Sequence, residues 1–557
     1  MTNKSEIIKT TCPFCLYGCT LPILETSRGS FIVRKIEYDV AAQINQGRLC
    51  ARGNAATMIL DDRQRLTSPL FKNKKIDWVI ALSQIKHQLK DFSSKEIAIT
   101  FDINNTLEDL DAIFNFANGL KVDTIARSYL EPETFFSYSL PDVKYAELKD
   151  IERGKVFLII GDIFSKIPLL AKPILDAKYA NRNNRLFYID SLKTRVSGFA
   201  NRFLWTRPGT EPLLILALIA TMSKTAKSIL GDKNFSNIRK VLPLILETCN
   251  ISPDEIMEIS KALSTISKGV IFAAMDYGKT DDPFLFSELA QLLSLIIPGD
   301  KTFCAPALTS IPVGKIRFSE LIESINQGKT KVLINFGEIF PDYYPTVASK
   351  MNNLKFFVTT TTYLNNSSKP NWILPIPSIL EKSGTIMTLW GKANIKPLAK
   401  PVNGSKSISE IIDKIAPDLE SSSKMKVTEK TTFDIDTIID RALNLIEQKR
   451  DTKDEMTILG EESAFGYRGI FTNDAKQLKI SQINAQKLNL KQGDLVKLIT
   501  NNIEKIFVAN ITNTVPTNVI AVPTDTPENR ILFPMQIDNT TKDFIIAPAK
   551  GKLNKLI

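Results

Sequence analysis

Histidine is almost missing from this chain of 557 residues, which contains a single one, His87. Metal sites built from two or more imidazoles are therefore excluded, and any nucleophile activated by histidine would have to use this residue. His87 lies in the segment SQIKHQLK, whose apolar spacing predicts an exposed amphipathic helix that begins near Asp77. The residues around it offer no catalytic partner.

Long apolar runs are missing as well. No uncharged stretch reaches the roughly 18 apolar residues that would indicate a membrane-spanning helix. The first residues, MTNKSEIIKTTCPFC, lack the apolar segment of a signal peptide. We therefore expect no direct membrane insertion and a cytoplasmic location.

The chain also lacks a GxGxxG fingerprint for flavin or NAD and lacks dense basic runs. Its net charge of +11 is spread out, and the densest basic stretch is only residues 72–75. A basic excess suits an anionic partner, such as a phosphate-rich cofactor or an acidic protein. Without a basic arm or an aromatic platform, we expect no nucleic-acid partner.

Cysteines, in contrast, are clustered near the N-terminus, where Cys12, Cys15 and Cys19 are followed by Cys50. Three thiolates with two and three residues between them can face one cubane from a tight loop, and a distant fourth can close it. A zinc site is the alternative, but zinc ribbons usually pair two short CxxC knuckles. The three-plus-one arrangement favours a 4Fe–4S cluster, whose chemistry is electron transfer.

Three further residues are interpreted from their position relative to these cysteines. Arg52 follows Cys50 by two residues, so its charge should lie near the cluster, stabilise the reduced state and reach toward a second redox centre. The alternative is a surface arginine paired with Asp61 or Asp62. Cys249 and Cys304 stand alone in apolar surroundings and are expected to be reduced core residues.

A repeated pattern indicates an α/β fold. The run KVFLII is followed by Gly161 and Asp162, and 176 residues later KVLINF is followed by Gly337 and Glu338. Each unit continues into a helix and a second apolar strand, RLFYID or KFFVTTTT. Such strand–Gly–helix units place nucleotide phosphates at the carboxyl ends of parallel strands. An α/β scaffold without a ligand remains the alternative.

The pattern along the chain predicts about four domains. Residues 1–70 form the cluster domain, residues 71–150 and 341–415 a discontinuous α/β domain, and residues 151–340 an α/β domain that resembles nucleotide-binding domains. Residues 416–436 are rich in Ser, Thr and Lys and predict a linker. Short strands separated by Asn and Gly turns predict a β-barrel over residues 437–557.

These features together resemble the molybdopterin oxidoreductase superfamily, which includes formate dehydrogenases and the large peripheral subunit of respiratory complex I. CPFCLYGC and GRLCARG resemble its cluster loop, LFYIDSLKTR with RPGTE its nucleotide-binding stretch, and NAQKLNLKQGDLV its cap domain. The resemblance implies a bis-pterin guanine dinucleotide that holds molybdenum or tungsten. It implies nucleotide contacts at Asp190, Thr210 and Glu211, and a relay role for Arg52 between cluster and pterin.

One departure from the family affects the expected function. In formate dehydrogenases a Cys or selenocysteine ligand and a catalytic His occupy a segment that here reads VDTIARSYLEP, with Tyr129 and Leu130 at those positions. A phenolate is a harder donor than a thiolate, and leucine transfers no proton. We expect an electron-transfer subunit with a degenerate or absent metal site, working with subunits that carry flavin or iron–sulfur clusters. An active molybdenum or tungsten enzyme is the alternative, and a non-redox scaffold is the third.

Overall fold

The structure of the protein is a computed structural model. It describes residues 4–28, 31–60, 62, 64–102, 104–128, 140–306, 314–337, 345–364, 369–417, 434–450, 455–466, 476–500, 503–538 and 541–556.

The N-terminal unit is a three-stranded antiparallel sheet followed by two short helices. Its strands are β1 (Lys4–Thr11), β2 (Thr20–Arg28) and β3 (Phe31–Ile36), and its helices are α1 (Ala51–Asn54) and α2 (Ala56–Leu60). The pairing of β1 with β2 ends at Thr11 opposite Thr20. The intervening loop, which carries three cysteines, therefore closes on itself.

The next segment builds the first half of a larger sheet. Its elements are β4 (Leu70–Phe71), β5 (Lys74–Lys75), α3 (Trp78–Leu89), β6 (Ile97–Phe101), α4 (Leu107–Gly119) and β7 (Thr124–Arg127). The carboxylate of Asp77 caps α3 by accepting a hydrogen bond from the amide of Val79, which starts the helix where the sequence predicts it. His87 is exposed on this helix, also as predicted.

Residues 148–304 form a complete parallel sheet with the strand order β10-β9-β8-β11-β12. The strands are β8 (Val156–Ile160), β9 (Arg185–Asp190), β10 (Arg202–Trp205), β11 (Lys268–Ala273) and β12 (Asp300–Cys304). The helices are α5 (Leu148–Glu152), α6 (Ile163–Lys166), α7 (Ala171–Ala180), α8 (Glu211–Thr221), α9 (Ser223–Cys249, kinked at Gly231), α10 (Pro253–Thr265) and α11 (Pro283–Ile296). Strand β8 is buried throughout, as its unbroken apolar run predicts.

The chain then returns to the first sheet and completes it. This segment contains α12 (Phe318–Asn326), β13 (Val332–Phe336), α13 (Pro345–Ala348), β14 (Phe356–Thr361), β15 (Trp372–Pro375), the hairpin β16 (Gly384–Thr388) and β17 (Gly391–Ile395), and α14 (Ile408–Ile415). The completed sheet has seven strands in the order β5-β4-β15-β14-β13-β6-β7.

Strand β13 corrects one predicted boundary. The sequence placed it in the 151–340 domain, but it pairs in parallel with β6 and β14 of the seven-stranded sheet. Strand β13 therefore belongs to the discontinuous α/β domain, whose second part was predicted to begin only after residue 340. The pairing with β6 joins residues more than 200 positions apart, which a local pattern does not report. The other domain boundaries stay predictions.

The two sheets repeat one arrangement. Strand β8 lies between β9 and β11, and its counterpart β13 lies between β14 and β6. In each sheet the strand that comes next in the chain, β9 or β14, lies on one side. The strand on the other side, β11 or β6, is reached by a separate connection. This reversal is a topological switch point, the place where open α/β sheets bind ligands beyond the carboxyl ends of their strands.

The C-terminal part is a helix followed by a closed barrel. Helix α15 (Ile435–Arg450) packs Ile438, Ala442 and Ile446 into the core of the five-stranded sheet. The barrel has the strand order β18-β22-β19-β21-β20-β25. The elements are β18 (Met456–Glu461), β19 (Gln477–Ser481), α16 (Gln482–Lys487), β20 (Leu495–Thr500), β21 (Ile503–Thr512), β22 (Val519–Pro523), α17 (Pro527–Arg530), β23 (Met535–Ile537), β24 (Phe544–Ile546) and β25 (Ala549–Lys555). The predicted fold class is confirmed, with its cluster domain, paired α/β units and barrel.

Among the residues described, no single helix has the length and apolar character needed to cross a membrane. One sharply bent pair, α8 with the following helix, meets those criteria only when its two members are taken together.

Candidate functional site

The cysteine loop is closed by the backbone. The amide of Cys12 donates a 2.7 Å hydrogen bond to the carbonyl oxygen of Cys19, and Cys50 immediately precedes α1. Burial raises the pKa values of the Cys12 and Cys19 thiols, and the charges of Cys15 and Cys50 raise both further. The four predicted ligands are thus close enough to repel one another as thiolates, so an electropositive group between them would stabilise the ionised set.

The hairpin of β16 and β17 supports this loop from outside. Gly18 has a φ of +72°, and a side-chain carbon there would lie 2.8 Å from a methyl of Thr388. The indole of Trp390 donates a 2.9 Å hydrogen bond to the carbonyl of Tyr17 and meets its ring edge-on. Glycine at residue 18 is therefore required both by the backbone angle and by the space available.

Arg52 is a buried link between three parts of the protein. The residue is 6% exposed, and its guanidinium donates to the carbonyl oxygens of Ser165 at 2.8 Å, Lys166 at 3.3 Å, Phe14 at 3.4 Å and Ser463 at 3.4 Å. Phe14 belongs to the cysteine loop, Ser165 and Lys166 to α6, and Ser463 to the segment after β18. The alternative of a surface arginine paired with an aspartate is wrong.

No three Cys, His, Asp or Glu side chains in the described parts of the chain are arranged to hold a single metal ion. That result concerns a single ion, such as zinc, whose thiolate ligands all lie about 2.3 Å from it. A four-iron cubane is larger than one ion, so the four thiolates that hold it lie further from one another.

Gly161 and Asp162 lie at the switch point of the five-stranded sheet. A side-chain carbon on Gly161, whose φ is +80°, would meet the carbonyl oxygen of Ala274 at 1.9 Å. The carboxylate of Asp162 accepts hydrogen bonds from the amides of Phe164 and Ser165 at 3.1 and 3.2 Å and thereby begins α6. The turn after β8 is therefore fixed tightly against the chain that follows β11.

The carboxyl ends of β9 and β11 meet in a buried ion pair. The ammonium of Lys279 lies 2.6 Å from Asp190, which also accepts a hydrogen bond from the amide of Leu192 at 2.8 Å. Burial opposes the charge of Lys279, but the carboxylates of Asp190 and Asp276 raise its pKa above the ordinary value. The lysine therefore stays protonated.

Glu211, the first residue of α8, contrasts with this pair. Neither of its carboxylate oxygens has a hydrogen-bond partner of normal geometry among the described residues, although the residue is buried. Burial, with the nearby charge of Asp190, raises the pKa of Glu211 to about 7. The preceding residue, Thr210, is also buried and donates its hydroxyl to the carbonyl of Arg207. An unpartnered buried carboxylate costs free energy unless a ligand donates hydrogen bonds to it.

A second buried network connects the switch point with the barrel. Lys166 lies 3.0 Å from Asp276 and also pairs with Glu462. Glu462 accepts a 3.3 Å hydrogen bond from Arg530, whose guanidinium stacks 4.5 Å from the ring centre of Tyr277. The barrel is therefore held to the five-stranded sheet by buried charges at the switch point.

The equivalent point of the seven-stranded sheet follows β13. A side-chain carbon on Gly337, which follows β13, would lie 2.6 Å from the carboxylate of Asp102, which follows β6. The amide of Gly337 donates to Thr360 at 3.1 Å. Glu338 and the two departure residues, Tyr129 and Leu130, lie outside the described residues, so their predicted roles rest on the sequence.

Sequence reasoning missed several residues of this site. Asp276 and Lys279 follow β11, as Gly161 and Asp162 follow β8. The apolar run GVIFAA before them could have predicted this strand. Lys166 is one helical turn after Asp162. Glu462 and Arg530 have no local signal, because their partners are distant in sequence.

Comparison with known families agrees with this geometry. Residues 5–62 match the molybdopterin oxidoreductase Fe4S4 domain, and residues 65–417 match the molybdopterin oxidoreductase family. The chain belongs to the molybdopterin oxidoreductase family. It therefore has a 4Fe–4S domain followed by a molybdopterin oxidoreductase domain, as the sequence motifs predict.

Two curated relatives illustrate the similarity. The chain is 26% identical over 396 residues to the F420-dependent formate dehydrogenase subunit alpha of Methanocaldococcus jannaschii, an alignment of 68% of this chain and 56% of the relative. It is 23% identical over 461 residues to the NADPH-Fe(3+) oxidoreductase subunit alpha of Geobacter sulfurreducens, covering 70% and 53%. The chain thus spans about half the length of these relatives.

A solved structure extends the similarity to the fold. Acetylene hydratase from Pelobacter acetylenicus superimposes with a TM-score of 0.74, covering 98% of this chain and 100% of that one. At 11% sequence identity this agreement concerns the fold alone. It includes the barrel, which lies beyond the range of the two family matches.

Proposed function

We propose that this chain is the electron-transferring subunit of a larger redox complex and uses one 4Fe–4S cluster held by Cys12, Cys15, Cys19 and Cys50. The cluster, when bound, stores and passes on single electrons. The loop donates the ligands, the hairpin of β16 and β17 fixes its shape, and burial of Cys12 and Cys19 limits access of water. The donor set fits the cluster.

The observation that carries this proposal is the position of Arg52. Its guanidinium contacts both the cysteine loop and α6, which begins at the switch point. A fixed positive charge at this place favours the reduced cluster, because reduction adds negative charge. The same guanidinium also donates to the carbonyls of Lys166 and Ser463, so it fixes the cluster domain against α6 and the segment after β18.

The second part of the proposal is a degenerate metal site. Tyr129 and Leu130 stand where formate dehydrogenases have a soft metal ligand and a proton carrier. Phenolate binds soft metals less well, and leucine carries no proton. On this account the cluster itself is the main redox group.

The runner-up is an active molybdenum or tungsten enzyme, and Glu211 is the observation that favours it. A guanine base carries N–H donors of the kind that an unpartnered buried carboxylate requires. Glu211, Thr210 and Gly161 would hold the nucleotide end, and the metal would supply oxygen-atom or hydride chemistry. Asp190 fits less well, because Lys279 already neutralises it.

The partners are proposed from the relatives, which are named as alpha subunits of formate dehydrogenases and of an NADPH-Fe(3+) oxidoreductase. One cluster must exchange electrons with another carrier, so we propose neighbouring subunits with flavin or further clusters. Iron, molybdenum and tungsten analysis of purified protein separates the two functions. About four irons without either metal supports the electron-transfer subunit, and stoichiometric molybdenum or tungsten supports the enzyme.

A further inference from the structure

The segment after β11 is a loop that is buried along its whole length. Residues 274–280 contain neither helix nor strand, and every one of them is buried. Loops normally run over the surface, because their backbone groups need water or another hydrogen-bond partner. This loop also carries two charged side chains, Asp276 and Lys279, which are 5% and 3% exposed. Other parts of the chain must therefore cover it on both sides, and we call residues 274–280 the plug.

On one side the plug packs against the switch point of the five-stranded sheet. The amide of Ala274 donates a 2.9 Å hydrogen bond to the carbonyl of Ile160, the last residue of β8. The carbonyl of Ala274 leaves no room for a side chain on Gly161. Toward the other end of the plug, Lys279 pairs with Asp190, the last residue of β9. The plug therefore lies across the carboxyl ends of these two strands.

The barrel and its connections cover the other side. The ring of Tyr277 meets the ring of Phe533 edge-on, with the ring centres 5.7 Å apart. A side-chain carbon on Gly278, whose φ is +67°, would overlap the same phenylalanine ring. The amide of Gly460 in β18 donates to the carbonyl of Gly278 at 3.4 Å, and a side-chain carbon on Gly460 would overlap the carbonyl of Tyr277. Glycine thus stands on both sides of the close contact between plug and barrel.

Ion pairs tie the plug to both sides. Asp276 lies 3.0 Å from Lys166 at the end of α6, and Lys166 also pairs with Glu462, which follows β18. Arg530 donates to Glu462 and stacks on Tyr277. Breaking one of these buried pairs leaves its partner charged and unpaired, which is strongly destabilising. The plug is therefore held in place as well as covered.

The residues that the family resemblance assigns to a nucleotide on this sheet are all buried: Gly161, Asp162, Asp190, Thr210 and Glu211. A preformed ligand site instead leaves its contact atoms on a concave surface. The carboxylate of Asp190 already has three partners. It accepts hydrogen bonds from the hydroxyl of Tyr188 at 2.5 Å and the amide of Leu192 at 2.8 Å, and it pairs with Lys279. As arranged in this fold, these residues do not fit a pterin dinucleotide.

We propose that the plug closes the crevice between the five-stranded sheet and the barrel as an internal occupant, so that no dinucleotide binds there. Lys279 supplies the donor at Asp190, and Glu462 supplies the anion for Lys166. This inference rests on the proposed function, whose metal site is degenerate. It opposes the runner-up, which requires Glu211 to face a nucleotide.

The test measures the reactivity of single lysines in the purified full-length protein. Acetic anhydride acetylates accessible, uncharged amines, and peptide mass spectrometry reports the rate at each lysine. In the wild type, Lys166 and Lys279 should react at least roughly tenfold more slowly than Lys233, which is exposed on α9. Lys301 is the control for general unfolding, because its buried ammonium donates to backbone carbonyls next to β11 and β12 and not to the barrel.

The variant Arg530→Met removes the guanidinium that holds Glu462 and stacks on Tyr277. Acetylation of Lys166 should then be at least roughly tenfold faster, while Lys301 stays at its wild-type rate. Arg239→Met, at an exposed arginine of α9, is the matched control and should change neither rate.

Wild-type Lys166 and Lys279 that react as fast as Lys233 overturn the plug alone, and so does an Arg530→Met protein in which Lys166 keeps its wild-type rate. Two extractable pterin dinucleotides per chain overturn both the plug and the degenerate metal site. A protein without iron overturns electron transfer, while the acetylation rates still decide whether the plug closes the crevice.

Discussion

The Nη2 atom of Arg52 lies 2.8 Å from the carbonyl oxygen of Ser165, and this hydrogen bond joins the cluster domain to α6 of the five-stranded sheet. Asp162 fixes the beginning of that helix by capping it. Lys166, at its end, pairs with Asp276 and with Glu462 near the barrel. One four-residue helix thus connects the cluster domain, the switch point and the barrel.

Neutralising Arg52 should make the cluster harder to reduce. In Arg52→Gln the lost positive charge no longer offsets the electron that reduction adds, so the midpoint potential should become more negative. Arg52→Lys keeps the charge and should shift the potential less. A redox titration followed by electron paramagnetic resonance checks both variants, with iron content as control. An unchanged potential in an iron-loaded Arg52→Gln protein would contradict the proposed effect of this charge on the reduced cluster.

Cysteine substitutions should separate ligands from core residues. Cys15→Ser removes a soft thiolate ligand, so the purified protein should lose most of its iron and its absorbance near 400 nm. Cys249→Ser, at a buried cysteine in the core of the five-stranded sheet, should keep both. Iron analysis of the two proteins makes the comparison. Equal iron in both would show that the ligand assignment is wrong.

Gly161→Ala should destabilise the fold strongly. The left-handed backbone and the 1.9 Å approach to the Ala274 carbonyl together should cost about 2–5 kcal/mol. Gly198→Ala is the matched control, because nothing lies within 4 Å of a side-chain carbon there. It should change the free energy of unfolding by less than about 0.5 kcal/mol. Urea unfolding measures both, and similar stability of the two variants would refute the close packing at the switch point.

Glu211 should make stability depend on pH. Its pKa is about 7 in the folded protein against 4.5 for the free side chain, so the folded state binds this proton more tightly. Stability from this group is therefore complete below pH 4.5 and is lost as the pH rises to about 7. Glu211→Gln should remove that loss, gaining on the order of 3 kcal/mol above pH 7 and little near pH 4.5.

Urea unfolding of Glu211→Gln and wild type at pH 5 and pH 8 checks this expectation. A gain at pH 8 that is absent at pH 5 supports a carboxylate without a ligand. If a dinucleotide donates hydrogen bonds to Glu211, the substitution should instead destabilise the protein at pH 8. The experiment therefore also distinguishes the electron-transfer subunit from the active enzyme.

The part of this structure that could be predicted from sequence is local. The cysteine spacing, the helix after Asp77 and the buried strand before Gly161 each depend on neighbouring residues. The structure confirms the helix and the strand, and the assignment of the four cysteines as cluster ligands stays a prediction. The repeat also indicated two related sheets, because both copies preserve the same strand and glycine.

The remainder depends on distant contacts. Strand β13 pairs with residues of β6 that are 235 positions away, and Trp390 supports a loop 373 residues away. The ion pair of Lys166 with Glu462 spans 296 residues. Hydrophobic periodicity carries no information about such pairings. Charged side chains are also rarely buried in cores, so the sequence alone did not predict that those at the switch point are buried.

Metal content is the most direct test of the central claim that the cluster is the protein's main redox group. The measurement is elemental analysis of anaerobically purified protein, with pterin extraction in parallel. The account predicts about four irons per chain, no stoichiometric molybdenum or tungsten, and no extractable pterin. One molybdenum or tungsten per chain together with pterin would contradict the degenerate site, and a protein without iron would contradict electron transfer altogether.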